Sequence, residues 1–273
     1  MPATNMMKVT FLGTGTSQGI PVILCACEVC RSADPRDNRL RCSVKIETEG
    51  RAIVIDTGPD FREQMLRSKT TRLDAVLYTH EHKDHIAGLD DIRPFNFIGG
   101  QHIHVYATAQ VEAALHREFS YAFAKEKYPG VPELSIHRIS NNRFEAAGIP
   151  VTPIRAMHAE LPVTGFRIGG FTYLTDANHI TPDELQKARG SDVFVVNALR
   201  REKHYSHFNL EEALEIIRQV APKKAYLTHI SHRLGLHADL EKELPGNVEI
   251  AYDGLTVDIP GPGQAIRITG LPN

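Results

Sequence analysis

A chain of 273 residues can bury a substantial core as one large domain or two small ones. Its 42% hydrophobic and 23% charged content belongs to a soluble globular protein and excludes a disordered chain. The formal net charge of −2 supplies no global basic field for nucleic acid, and no apolar run approaches the roughly 18 residues of a membrane span.

The start "MPATNMMKVTFLG" lacks a long apolar stretch, so no signal peptide is expected and the expected compartment is the cytoplasm. There disulfides rarely persist, which favours metal over disulfide for clustered cysteines. "KVTFLG" reads as a first strand running into "GTGTSQGIP", either a phosphate-approaching loop or a tight turn beside the core. "LCACEVC" then places Cys25, Cys27 and Cys30 within six positions, leaving only Cys42 elsewhere. After the charged loop "RSADPRDNRLR", "CSVKIET" and "RAIVIDTG" read as a hairpin turning at Glu49-Gly50. "PDFREQMLRS" reads as a short helix with Pro59 near its start, and "LDAVLYTH" as a buried strand.

Residues 95–150 carry a strand "HIHVYA", a helix from about Thr108, an aromatic stretch and two short strands, with the weakest pattern in the chain. "IPVTPIRAMH", "VTGFRIGG" and "FTYLTDAN" are strand-like, the last two meeting at Gly169-Gly170. "TPDELQKA" is a helix with Pro182 in its first turn, and "SDVFVVNAL" is another buried strand. "NLEEALEIIRQV" is the clearest helix, with Asn209 and Glu212 spaced as a capping box. "KKAYLTHISH", a helix around "ADLEKEL", a hairpin "VEIAYDGLTVDI" and a Pro/Gly-rich tail complete the chain. With no linker or internal repeat, the expectation is one domain over 1–273, of two β-sheets covered by helices.

Fourteen histidines are unevenly distributed. "THEHKDH" offers His80, His82, Asp84 and His85 directly after a buried strand. Alternate residues of an extended segment share a side, so His80 and His82 can reach one ion. A following helix would turn Asp84 and His85 toward a second. Imidazole and carboxylate suit Zn²⁺, Mn²⁺ or Fe²⁺.

On HxHxDH the chain resembles the metallo-β-lactamase-fold hydrolases, along nearly its whole length. The resemblance implies an α/β (α+β) four-layer αββα sandwich. It also implies that "AMHAE", "YLTDAN" and "YLTHIS" supply His158, Asp176 and His229. His80, His82 and His158 would then hold one metal, Asp84, His85 and His229 the other, with Asp176 bridging. Asp56 would orient the site, or is simply a strand-end carboxylate. Such a pair implies hydrolysis by a metal-bridging hydroxide.

The glycine-rich start, C-x-C-x-x-C, "LTHISH" and final "DG" resemble the phosphoribosyl cyclic phosphodiesterases of the carbon–phosphorus lyase pathway. That resemblance implies a structural zinc on Cys25, Cys27, Cys30 and His232, beside two active-site ions, zinc or manganese. It also implies a histidine before a late helix. His207 fits better than His204, as proton donor to the leaving oxygen or phosphoryl ligand, or as a plain loop histidine. Together with Asp176 and Asp84 it makes up the expected catalytic group. Cys42 reads as a small buried apolar residue, and His102, His104, His116, His137, His179 and His237 receive no role.

The expected activity is therefore a metal-dependent phosphodiesterase acting on a small cyclic phosphate or nucleotide-like diester, with no membrane partner. A homodimer is left open. The alternatives are a ribonuclease of the tRNA 3′-processing type, which would need a basic arm not visible here, and a non-catalytic cofactor-biosynthesis relative.

Overall fold

The computed structural model describes residues 6–260 and 265–270. Its strands are β1 (Met7–Gly13), β2 (Ser43–Thr48), β3 (Arg51–Ile55), β4 (Ala75–Leu77), β5 (Ile103–Ala107), β6 (Leu134–Arg138), β7 (Phe144–Ala146) and β8 (Ile149–His158). Then come β9 (Leu161–Ile168), β10 (Phe171–Leu174), β11 (Val193–Asn197), β12 (Lys224–Thr228), β13 (Val248–Ile250), β14 (Thr256–Ile259) and β15 (Arg267–Thr269). The helices are α1 (Phe61–Arg67), α2 (Lys83–Ile86), α3 (Arg93–Phe97), α4 (Ala109–Glu118), α5 (Pro182–Gln186), α6 (Leu210–Val220) and α7 (His237–Leu240).

One sheet runs β15-β14-β1-β2-β3-β4-β5-β6 and the other β13-β12-β11-β10-β9-β8-β7. Each is antiparallel in one part and parallel in the other, with β3 to β6 and β10 to β13 the parallel runs. Period-two alternation sends Val9, Phe11, Val44, Ile46 and Ile53 inward against Phe166, Phe171, Tyr173 and Val195, which forms the layer between the sheets. A second apolar layer joins Val54, Val76 and Val105 to Phe61 of α1 and Val111 and Leu115 of α4. A third joins Phe194, Val196 and Leu227 to Ala213 and Ile217 of α6 and Leu185 of α5. Three apolar layers separate four structural ones, and the fold is an αββα sandwich.

α6 starts where the Asn209–Glu212 pair places it: Glu212 N–H donates to Asn209 Oδ1 (2.9 Å) and Asn209 N–H to Glu212 Oε2 (3.0 Å). The Glu49-Gly50 hairpin and the Gly169-Gly170 turn also form, joining β2 to β3 and β9 to β10.

"VEIAYDGLTVDI" is not a hairpin. β13 lies parallel to β12 in one sheet, while β14 lies antiparallel to β1 in the other, so Asp253-Gly254 carries the chain between sheets. Both halves are β-branched and short, and their pairing is decided by which sheet edge is open rather than by the turn. The two short strands before residue 150 divide likewise, β6 edging one sheet and β7 the other. Of the tail, residues 267–269 form β15, while residues 261–264 and 271–273 lie outside the described residues.

The glycine-rich turn proves to be a packing device. The N–H groups of Gly15, Thr16 and Gly19 donate to Leu40 O, Ile230 O and Thr16 O, so these three donors are committed to holding the turn against its neighbours. A Cβ on Gly13 would sit 2.1 Å from Arg41 O, so only glycine lets these segments touch.

Candidate metal centre

The ends of β4, β8, β10 and β12, with the helix α2, deliver seven side chains to one place. β4 is followed by His80 and His82, and α2 carries Asp84 and His85. β8 ends at His158, while Asp176 and His229 follow β10 and β12 by one or two residues. His80, His85, Asp176 and His229 are buried to 2% exposure or less, which water-free packing alone would not favour for such groups.

Three imidazoles cluster on one side: ring centroids lie 4.6 Å apart for His80 and His82, 5.1 Å for His82 and His158 and 5.8 Å for His80 and His158. On the other side His85 and His229 stack at 6.2 Å with carboxylates between them. His85 Nε2 is 3.2 Å from Asp84 Oδ2 and 3.3 Å from Asp176 Oδ2, while His229 Nε2 is 3.0 Å from Asp176 Oδ1.

The outward nitrogens are fixed from behind. His85 Nδ1 lies 2.7 Å from Asp56 Oδ2, His80 Nδ1 3.0 Å from Thr79 Oγ1, and His158 Nδ1 donates to Ser206 O at 2.7 Å. Asp56 also accepts both N–H and O–H of Thr79 at 2.8 Å. Each ring thereby turns its Nε2 toward the shared centre, as metal-binding histidines require. Asp56, Asp176 and His229 all take left-handed backbone angles (φ 64°, 56° and 55°), a strained geometry for non-glycine residues. A Cβ on Gly58 would meet Asp84 O at 2.1 Å, so the loop after Asp56 packs directly beneath α2.

Electrostatics point to ions. Burial lowers the pKa of His85, yet Asp84, Asp176 and Asp56 override it and hold the ring well above its ordinary value. Burial likewise raises Asp176, but His229 and His85 pull it well below its ordinary range. His80 is pushed well below its ordinary value by burial and by His85, leaving a neutral ring with a lone pair. His85 Nε2 and both nitrogens of His229 are buried without a hydrogen-bond partner. His85 Nε2 and His229 Nε2 face carboxylates, and divalent ions would satisfy them, since this nitrogen/oxygen donor set fits such ions.

His207, nearly buried, places Nε2 3.1 Å from Asp176 Oδ1 and Nδ1 3.0 Å from Ser206 Oγ. His204 stands behind it, its Nδ1 3.2 Å from His207 Nδ1, and is the more exposed of the two. Cys42 is buried, but more than apolar filling: a sulfur–oxygen contact of 3.5 Å joins it to Thr175 Oγ1, and its Sγ lies within 4.8 Å of ligand atoms of His85, Asp176 and His229. Sequence reasoning missed Thr79, Ser206 and this placement of Cys42. A signal existed in "YTH", "LTD" and "LTH", where a threonine precedes a site residue at three strand ends. Two of those hydroxyls touch the neighbouring site side chain, Thr79 on His80 and Thr175 on Asp176.

The second cluster joins three cysteines of the loop between β1 and β2 to His232, which follows β12. His232 Nδ1 is 3.2, 3.4 and 3.5 Å from the sulfurs of Cys25, Cys27 and Cys30. A tetrahedral zinc with the usual bond lengths sets nitrogen–sulfur edges of about 3.5 Å. All four cysteines are free thiols. The Cys30 N–H reaching Cys27 Sγ, with His232 beside it, outweighs burial and lowers the Cys27 thiol to about 6, whereas burial pushes Cys30 up to about 11.

A family model described as a beta-lactamase superfamily domain matches residues 51–230. The structure is similar to that of a diphosphatase from the PhnP family, with a TM-score of 0.87 and 38% identity over 93% of this chain and 98% of that one. An octanoyltransferase of Porphyromonas gingivalis is 39% identical over 264 residues, which are 96% of this chain and 53% of that protein. The chain thus spans about half the length of that relative. Zinc-bound PqqB of Methylobacterium extorquens shares the fold, with a TM-score of 0.71 at 21% identity over 92% of this chain and 100% of that one. With a family model over more than half its length and a near full-length match to the PhnP-family structure at 38% identity, the chain belongs to the metallo-β-lactamase-fold hydrolases, among the relatives of PhnP.

Proposed function

We propose that the protein is a dinuclear metal-dependent hydrolase of phosphorus diesters, acting on a small cyclic phosphate or on a nucleotide-like molecule with a diester or diphosphate linkage. The observation that carries this reading is the convergence of seven histidine and aspartate side chains from four strand ends and α2, with His85 Nε2 and the His229 nitrogens buried and unpaired. His80, His82 and His158 would hold one ion, Asp84, His85 and His229 the other, and Asp176 would touch both. The ions would supply an activated water and neutralise charge on phosphoryl oxygens.

This chain's own groups do the rest. Asp56, Thr79 and the Ser206 carbonyl lock the ring orientations through the contacts at 2.7 to 3.0 Å described above. His207 Nε2 is 3.1 Å from Asp176 Oδ1, and in this reading the ring gives a proton to the departing oxygen or holds the phosphoryl group. Burial lowers its pKa to about 4, so proton donation requires the substrate's negative charge to raise it. A diester carries one negative charge per phosphorus, which suits a centre already holding two carboxylates. A monoester brings a second charge and is the expected product. A diphosphate linkage belongs to the same class, since a diester-substituted phosphorus is attacked in both, and the similar PhnP-family structure is that of a diphosphatase.

Cys25, Cys27, Cys30 and His232 would hold a structural zinc that fixes the early loop near the site. His232 follows the proposed active-site ligand His229 by three residues, so the two centres share one short segment.

The test is a panel of cyclic and linear diesters, dinucleotide diphosphates, monoesters, thioesters, lactones and a precursor tRNA, assayed with the metal-replete protein. Hydrolysis of the small phosphorus diesters should dominate, with little monoesterase activity. Faster cleavage of a thioester or lactone, or turnover of the tRNA alone, would overturn the assignment.

A further inference from the structure

A second H-x-H pair, His102 and His104, opens "HIHVYA", and the phosphodiesterase reading makes no use of it. Alternate residues of β5 share a face, and β6 runs parallel beside it with Tyr106 level with His137. His102, His104 and His137 therefore lie on one face of the last strand pair, and β6 is the outer edge of its sheet. His104 Nδ1 and His137 Nε2 are 2.9 Å apart. The His137 ring stacks on Tyr106 at 4.8 Å and 20°, and Tyr106 stacks on Phe144 at 5.4 Å, so this imidazole stands on a rigid aromatic base. His102 lies 5.7 Å from His104, ring to ring, its Nε2 2.7 Å from Ser135 Oγ.

We propose that His104 and His137 form a surface site for a divalent transition metal, with His102 the nearby third imidazole. Two observations support it. His104 Nδ1 and His137 Nε2 already face each other across the strand pair at hydrogen-bond distance, one ring donating and the other accepting, so an ion entering there displaces a single shared proton and meets two imidazole donors. Burial, then His137 and His102, lower the pKa of His104, which keeps that ring neutral at neutral pH. Imidazole donors suit Ni²⁺, Cu²⁺ and Zn²⁺.

The site is separate from the catalytic centre. His104 is level with Ala75, the first residue of β4, and His80 lies five residues further on, roughly 15 Å along an extended chain. Its expected consequence is local: an ion held by one side chain from each strand ties β6 to β5 at an exposed edge.

The test uses the full chain loaded with zinc and dialysed free of excess metal, titrated with Ni²⁺ in a calorimeter. One additional Ni²⁺ per chain should bind, and that binding should be lost in His104→Ala and again in His137→Gln. Both variants should keep the wild-type hydrolysis rate and zinc content, so a failure of the diesterase reading would not register here. No additional ion, or the same binding in both variants, would overturn the proposal.

Discussion

Among individual residues, Asp176 and Asp56 separate two kinds of contribution. Asp176 approaches His85, His207 and His229 at once, so Asp176→Asn should lose turnover and one or both active-site ions while its melting temperature stays near that of the parent after metal removal. Asp56 reaches the centre only through His85 and Thr79. Its replacement by Asn should weaken metal binding or activity by about 10- to 100-fold, the range for groups that orient a metal-binding histidine. Metal titrations of the two variants check this order. His207→Ala should slow hydrolysis of an alkyl diester by roughly 10²–10⁴-fold. A nitrophenyl diester, whose leaving group needs no proton, should suffer much less. Equal losses would make His207 a binding residue. These roles were legible to different degrees. HxHxDH reads locally because its four side chains lie within six positions. His158, Asp176 and His229 needed the family pattern, because their meeting depends on sheet order. Thr79 and Ser206 act through a hydroxyl and a carbonyl, and single-residue chemistry does not advertise either.

At the level of elements, two of the anchors of the long loop between β1 and β2 can be tested separately. One is the cysteine cluster. Cys27→Ser should lose its zinc and melt at a lower temperature, because metal binding to such a site is coupled to folding. A variant as stable as the parent without its zinc would contradict a structural role. The other is a buried polar knot. Arg39 donates to Thr14 Oγ1 and Ala251 O and lies 3.0 Å from His237 Nδ1, while the His237 N–H donates to Asp37 Oδ1. Burial, then the Arg39 and Arg36 guanidinium groups, lowers His237 to about 4, against the opposing pull of Glu241. A histidine depressed in the folded state binds its proton more readily when unfolded. Its stabilising contribution is therefore complete above about pH 6.5 and is lost as pH falls toward 4. Melting curves across that window should fall less steeply for His237→Asn than for the parent. The same scale shows why short elements were misread. β13 and β14 each carry apolar alternation, but three or four residues do not reveal which sheet they join. α6 was legible to its first residue because its cap is a local side-chain exchange. Asn209→Ala should cost about 1 kcal/mol, measurable in denaturant.

Across the whole molecule, the layered fold was readable because buried strands and amphipathic helices alternate in the chain, and layers follow from burying those faces. Two active-site ions and one thiolate-bound zinc are what such a molecule would carry, and they differ in chemistry. On the proposed reading the nitrogen/oxygen centre would keep a position for substrate, whereas four protein ligands would close the Cys₃His site. The most direct measurement is metal content and diester hydrolysis on one dialysed sample, before and after treatment with a chelator. Three ions per chain should fall to one as activity disappears, and activity should return with Zn²⁺ or Mn²⁺. Full hydrolysis surviving with the active-site ions gone, or a single ion per chain in the active protein, would contradict a two-metal phosphodiesterase.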